Sequence, residues 1–158
     1  MATWRQGTVE EFISASQAGW EKGVRIFHLL SGTSVDVSRH RAISQTKTVI
    51  SQRAIVHDIV CDVTCMARHY DFWEKRSGSW GLVLRESIYD KDRMDPVTPG
   101  VSIPFDSKLL EQFPEGYRHL AYLQTHIGYT VKRDMPCTTG PAIDELYRRG
   151  ADWLRGVA

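Results

Sequence analysis

Titratable side chains recur at even spacing in two segments that could form neighbouring β-strands. His69 and Asp71 are two positions apart in the first segment, and Arg85 and Tyr89 are four apart in the second. Because side chains alternate between the faces of a strand, each pair is expected to lie on one face. A His beside a carboxylate is suited to general base chemistry, since imidazole titrates near neutral pH. An Arg in the same hollow could stabilise an oxyanion or an enolate.

A second candidate base, His28, lies in an earlier β-rich segment, where its imidazole is expected to point into a dry hollow shared with Arg85. The predicted catalytic residues are His28, His69, Asp71 and Arg85. The predicted substrate contacts are Thr46, Thr48, Cys65 and Tyr89.

Structural roles can explain the same residues. A His on a strand face is more often a hydrogen-bonded structural residue than a base, and Arg85 and Asp71 could form an ion pair that only stabilises the fold. The aromatic side chains of these segments are predicted to lie in the core: Tyr70, Phe72, Trp73, Trp80 and Tyr89.

The elements that would position these residues are organised around the segment from Cys61 to Asp92. Two apolar, aromatic-rich runs flank the polar sequence Arg76-Ser77-Gly78-Ser79, which predicts a β-hairpin because Gly accepts the positive φ of a tight turn. Two β-rich runs, 24–37 and 42–55, precede it, so four consecutive strands form a meander. Gly32 interrupts the first of them and predicts a bulge or bend.

Helices are predicted before and after this meander along the chain. Thr8 and Glu11 have the spacing of a capping box at the start of a short helix. Beyond Pro96 the pattern predicts a short helix capped by Asp106 or Ser107, a helix that ends near Gly128, and an amphipathic helix over 142–154. The fold class is therefore α+β, with residues 1–94 as a cone-shaped core and residues 95–158 as a helical extension packed on the same domain.

Composition restricts the possible partners and location. A chain of 158 residues with a net charge of +1 suits one domain and gives no bulk attraction to nucleic acid or to an anionic membrane. We expect no membrane span, because apolar runs are too short. The first residues lack the layout of a secretory signal, and the three cysteines include no Cys-x-x-Cys pair. We therefore expect a cytoplasmic protein with buried free thiols and without a metal or cofactor.

The order of elements from Thr8 to Asp92 resembles the SnoaL-like group of the nuclear transport factor 2 superfamily. The most specific part of the resemblance is the hairpin from Trp73 to Trp80. The resemblance implies a conical sheet around an apolar pocket, in which a strand His paired with an Asp abstracts a proton without metal or cofactor. In this sequence His28 matches that strand His, and His69 matches a second pocket His.

The same resemblance places Arg85 at the position of a pocket Arg and gives Tyr89 a place nearby. This chain departs from the group because His28 comes too early for the usual N-terminal helices, one of which supplies the Asp. Asp71 is the substitute within the sheet, and another subunit or the C-terminal extension could cover the mouth of the cone.

These observations lead to two predicted functions. The first is a cofactor-independent lyase or isomerase, resembling a dehydratase or cyclase, that acts on a small hydrophobic cyclic or polyketide-like compound. The alternative is a non-catalytic protein that binds a small molecule or dimerises on the same fold. A curved sheet needs its apolar face covered, which predicts a homodimer or a higher homo-oligomer.

Overall fold

The computed structural model describes residues 2–157 and has four helices and a four-stranded sheet in that range. The elements are α1 (Val9–Glu21), β1 (Ile26–Ser38), β2 (Arg41–Val56), β3 (Ile59–Arg76), β4 (Ser79–Pro96), α2 (Ser107–Leu110), α3 (Arg118–His126) and α4 (Pro141–Arg155). The α+β fold class is confirmed, with a curved antiparallel sheet that does not close. Strand β4 ends at Pro96, four residues beyond the predicted limit.

The sheet is a meander in the order β1-β2-β3-β4, and each connection is a two-residue turn. The predicted turn at Ser77-Gly78 is confirmed, with φ values of 49° and 85°. His57 and Asp58 form the preceding turn with φ values of 50° and 61°. Positive φ at both central positions matches the twist of antiparallel strands, so these turns fix the pairing of β2 with β3 and of β3 with β4.

Three irregularities shift the register along the sheet. The pairing of β1 with β2 shifts between Leu30 and Thr33, which confirms the bulge predicted at Gly32. In β4, Val83 and Asp90 have no partner in the otherwise continuous pairing with β3. An extra residue reverses the face to which the following side chains point, so the bulges decide which residues of β4 can meet those of β3.

One face of the sheet, here called the groove face, is defined by Ala42, Ser44, Thr46, Asp71 and Trp73. Its other half is covered by α3, whose Leu120 and Ala121 belong to the main core. The sheet residues of that core include Ile50, Val63, Cys65, Ala67 and Tyr89. The groove face is therefore closed at one end and open at the end near the β1–β2 and β3–β4 turns.

The opposite face, here called the α4 face, has a smaller core of Ile43, Tyr70, Phe72 and Ile88 beneath α4. Gly150 of α4 lies so close to the sheet that an added Cβ would come within 1.9 Å of the Tyr70 hydroxyl oxygen. Gly140 precedes the helix, Pro141 is its first residue, and Gly156 ends it in the left-handed conformation. The C-terminal helices thus cover opposite faces of the sheet.

Helix α1 has the capping box predicted from Thr8 and Glu11. Its contacts with the rest of the chain include Phe12, which packs on Trp4 at 5.5 Å between ring centroids, Gly19, which lies against Tyr129, and Trp20, on which the Arg25 guanidinium stacks. Most of the helix surface is exposed, including Val9 and Ile13. The helix therefore projects from the body of the protein rather than covering the sheet.

Within residues 2–157, no helix combines the length and the apolar character needed to cross a membrane.

Candidate functional site

The strand registers place all eight predicted site residues on the groove face. Thr46 is opposite His69, and Asp71 is opposite Arg85. Tyr89 is opposite Ala67, in the half that α3 covers. Their positions within that face nevertheless differ, so the set does not form one cluster.

An open groove with a volume of about 450 Å³ occupies the uncovered half of the face. Most of the exposed surface of its lining is apolar, and Thr46, Asp71 and Arg85 are the predicted site residues that line it. The other lining residues are Thr33, Val35, Val37, Ala42, Ser44, Trp73 and Trp80. This combination of apolar walls and a few polar groups is typical of a site for a small organic molecule.

Asp71 and Arg85 form a two-point ion pair in the groove. The Arg85 Nε and one terminal nitrogen each donate to a separate Asp71 oxygen at 2.7 Å. The Asp71 side chain is 1% exposed and the Arg85 side chain is 41% exposed. The hydrogen bond to Asp71 raises the Arg85 pKa, so the guanidinium remains charged and fixed in orientation.

His69 is half-buried on the same face, beside the groove lining and two residues from Asp71. Burial first and the positive charge of Arg85 second lower its pKa to about 4, against an opposing effect of Asp71. The imidazole is therefore neutral near pH 7. Both Asp71 oxygens accept from Arg85, so this carboxylate orients the guanidinium.

A chain of polar groups extends from His69 into the covered half of the face. His69 Nδ1 lies 3.2 Å from Ser87 Oγ, and the Ser87 hydroxyl acts on the Tyr89 hydroxyl, opposing the rise that burial causes in the Tyr89 pKa. Tyr89 also accepts from the Thr3 backbone N–H at 3.2 Å, and the Thr3 hydroxyl donates to Gln124. These contacts hold the imidazole through one ring nitrogen and involve segments far apart in sequence.

His28 lies on β1 opposite Ile50 and is an exposed residue. Protein atoms crowd its ring enough to lower its pKa, yet solvent reaches the side chain. The dry environment expected for this imidazole is therefore not found, although it lies on the expected face.

The remaining predicted residues lie beneath α3 or at its edge. Thr48, Cys65 and Tyr89 are buried, and burial raises the pKa of the Cys65 thiol and of the Tyr89 hydroxyl. Within the described part of the chain, the buried Thr48 Oγ1 has no hydrogen-bond partner. Neither Thr48 nor Cys65 contributes to the groove lining, so a ligand in the groove would contact Thr46 instead.

Two aromatic groove residues were predicted to be core. Trp80 is exposed and lines the groove, so its assignment to the core was wrong. Trp73 is half-buried and donates from Nε1 to Ser44 Oγ at 2.9 Å. Their position beside the β3–β4 turn was the available sequence signal, because residues at a strand end are seldom covered on both faces.

A separate His–Asp pair lies at the start of α3 and was not predicted. His119 Nδ1 lies 2.8 Å from Asp92 Oδ1, and the Leu120 backbone N–H donates to Asp92 Oδ2 at 2.7 Å. The Asp92 side chain is fully buried. Since Tyr117 provides no side-chain cap for α3, Asp92 caps this helix from the sheet, and the pair is explained by that role.

Among the described side chains, no group of three or more His, Cys, Asp or Glu residues is placed to hold a metal ion.

Comparison with known proteins identifies fungal relatives. The chain is 38% identical over 157 residues to pea pathogenicity protein 2 of Fusarium vanettenii. The aligned segment covers 93% of this chain and 67% of the relative. It is 37% identical, with the same coverage, to a PEP2-like protein of that fungus. An uncharacterized protein of Emericella nidulans is 33% identical over 93% of this chain and 68% of its own length. No family model matches the chain.

Proposed function

This chain belongs to the family of pea pathogenicity protein 2, and we propose that it is a cofactor-independent isomerase or lyase of a small hydrophobic ring compound. The names of its relatives specify no reaction, so the proposal depends on the site. One observation supports it above the others: a neutral imidazole, His69, lies beside an Arg85 guanidinium that Asp71 holds in place, next to an apolar groove.

The groove selects the proposed substrate by shape and polarity. Trp73 and Trp80 offer flat aromatic surfaces, and Val35 and Val37 supply aliphatic contacts along β1. A volume of about 450 Å³ accommodates a compound of a few fused rings. The charged group in the lining is the Asp71–Arg85 pair, so a ligand carbonyl oxygen would be placed near the guanidinium.

His69 is the proposed base in this site. Thr3 donates its hydroxyl proton to Gln124 and can therefore accept the proton of Tyr89. Tyr89 then accepts from Ser87, and Ser87 accepts from His69 Nδ1–H. In this direction every hydroxyl of the chain donates once, and the lone pair of His69 is on Nε2. Fixing the tautomer through a neighbouring hydrogen bond is a common way to prepare a catalytic His.

A base with a pKa of about 4 can remove only an activated proton, such as one on the carbon beside a carbonyl. In the proposed step the C–H electron pair forms an enolate, the proton moves to His69 Nε2, and Arg85 stabilises the enolate oxygen. In a β,γ-unsaturated ketone, return of that proton to the γ-carbon shifts the C=C bond into conjugation with the carbonyl and completes an isomerisation. Alternatively, a β C–O bond breaks and the departing oxygen takes the proton, which completes an elimination of water.

Non-catalytic binding of a similar compound is a second candidate. Two observations favour it: both Asp71 oxygens accept from Arg85 rather than orienting a His, and His28 is exposed. A catalytic His that loses an orienting carboxylate loses much of its activity in known triads. Under this candidate the same groove residues bind the ligand and no proton moves.

A single assay distinguishes the two candidate functions. The wild-type protein is incubated in D2O with β,γ-unsaturated cyclic ketones and β-hydroxy cyclic ketones. We expect loss of the α-proton NMR signal and growth of the ultraviolet absorbance of the conjugated ketone, both faster than in buffer. Quenching of tryptophan fluorescence without either change would reject catalysis on these compounds and support the binding candidate.

We also propose that the protein is a homodimer. The accessible surface is 9447 Å², whereas a compact monomer of 18.0 kDa is expected to expose about 8,000 Å². The surplus of about 1,400 Å² exceeds the roughly 800 Å² that each partner buries in a standard interface. The surplus accessible surface includes exposed apolar side chains on β1, β4 and α1. We propose that association covers part of this apolar surface.

A further inference from the structure

We propose that α1 of one copy packs across the open groove of a second copy and closes the site. This inference rests on the proposed homodimer and specifies its interface. The first observation is the exposed apolar stripe of α1. Val9 is 64% exposed, Ile13 59% and Trp20 61%. Positions 9, 13 and 20 follow helical spacing, so these side chains share one side of the helix.

The attachment of α1 leaves this stripe available. The helix is held through Phe12 against Trp4 and through Gly19 against Tyr129, and at its end the Arg25 guanidinium stacks on the Trp20 ring beside β1. Val9 and Ile13 are the stripe residues furthest from this contact. An amphipathic helix of 13 residues gains most of its stability from burying its apolar side. Because this chain does not bury that side, a partner surface is expected to do so.

The groove has the complementary character. Val35 and Val37 are 56% and 62% exposed, and Trp80 adds an exposed aromatic surface at the same end. A helix of 13 residues is about 20 Å long, enough to cross the four strands at about 4.8 Å spacing. An amphipathic helix in an apolar groove is a recurrent mode of recognition.

Charge favours the same pairing. Helix α1 includes Glu10, Glu11 and Glu21 and has no Lys or Arg within its bounds. The open end of the groove carries the exposed residues Arg39, His40 and Lys75, and the adjacent Arg76 is paired with Glu74. Opposite charges at the rim of an interface select partner and orientation. The α4 face offers a weaker match, because its exposed cations Lys47 and Lys91 lie beside an Arg53–Asp62 ion pair.

A second copy of α1 would also complete the proposed site. The groove is open to solvent in the single chain, and an enolate intermediate needs exclusion of water. The reciprocal exchange of α1 is isologous, so both grooves of a two-fold dimer are closed at once. The arrangement thus removes the exposed apolar stripe and the open groove with one contact.

The test compares three exposed residues by analytical ultracentrifugation. We expect wild type to be a dimer at micromolar concentration. Ile13→Glu on α1 and Val37→Glu in the groove are each expected to weaken association by at least a hundredfold. Leu29→Glu, a matched control on the α4 face and 52% exposed, is expected to leave association unchanged. Circular dichroism of each variant checks that the fold is retained.

Cross-linking provides a second measurement. One copy with Ile13→Cys is mixed with another with Val37→Cys under oxidising conditions, and a mixed disulfide between the copies is expected. A wild-type dimer that is weakened by Leu29→Glu and not by Ile13→Glu or Val37→Glu would reject the α1 contact while retaining the homodimer. A wild-type monomer at micromolar concentration would reject both.

Discussion

Replacing His69 with Gln is expected to lower the rate of α-proton exchange by roughly two to four powers of ten. The amide of Gln keeps hydrogen-bonding capacity beside Ser87, but it cannot accept a proton from carbon. The free energy of unfolding near pH 7 should therefore change little. Exchange in D2O and denaturant unfolding of the same preparation measure the two quantities separately.

His28→Gln is the matched control for that variant. His28 lies on the same face and also has a lowered pKa, but it is exposed and is not part of the polar chain through Ser87. We expect its exchange rate to remain within about threefold of wild type, because an exposed group outside the proposed chemistry contributes little. Loss of exchange in His28→Gln with full activity in His69→Gln would assign the base to the earlier strand and contradict the proposed mechanism.

Replacing Arg85 with Leu is expected to destabilise the fold by about 2–3 kcal/mol. Asp71 is 1% exposed, and both of its oxygens accept from Arg85, so the substitution leaves a buried carboxylate without these two donors. The expected value lies below the usual cost of breaking a buried pair because Arg85 is 41% exposed and water can enter on its side. Urea unfolding of wild type and variant measures the difference.

Two further variants separate charge from packing at this pair. Asp71→Asn in the Arg85→Leu background should recover at least half of the lost stability, because the buried charge is removed. Arg85→Lys should cost only about 1 kcal/mol, since the positive charge remains while the two-point geometry is lost. Equal destabilisation in Arg85→Leu and in the double variant would show that the pair acts through packing alone.

Local sequence signals predicted the elements of the fold. Ser77-Gly78 adopts the two positive φ values that a tight hairpin requires, and Thr8 with Glu11 forms the predicted capping box. Gly32 lies at the predicted bulge in β1. Each of these features depends on the conformational preferences of two or three neighbouring residues, which a single sequence contains.

The hairpin signal alone does not predict that Asp71 lies opposite Arg85. Counting back from the Ser77-Gly78 turn without a bulge would pair Asp71 with Leu84 and direct Arg85 to the opposite face. The unpaired Val83 moves the register by one residue and brings Arg85 to the groove face. Nothing in the local sequence marks Val83 as a bulge, so the predicted association of these residues depended on a feature that the sequence does not show.

The sequence also did not predict which half of the groove face remains open. The patterns of α3 and α4 predict amphipathic helices, but not that α3 covers Cys65 and Tyr89 while leaving Trp80 exposed. This choice depends on long-range packing, in which Asp92 holds the start of α3. Thr48 and Tyr89 were consequently placed on the correct face, although the groove lining includes neither.

The lowered pKa of His69 has a consequence for stability. An unfolded His titrates near 6.5, whereas His69 titrates near 4 in the folded chain. Between these pH values the unfolded state binds more protons than the folded state. The contribution of His69 to the free energy of unfolding is therefore complete above about pH 6.5 and is lost as the pH decreases toward 4. The contribution of this residue to the slope is at most about 1.4 kcal/mol per pH unit, and less because the ring is half exposed.

The neutrality of His69 is the basis of the proposed proton transfer and can be measured directly. The imidazole 15N chemical shifts of His69 are followed by NMR from pH 8 to pH 4, with His69→Gln to assign the signal. We predict a neutral ring with the proton on Nδ1 throughout pH 8 to about 5, and a midpoint near 4. A midpoint at or above the ordinary value of about 6.5, with a charged ring at pH 6, would contradict the account.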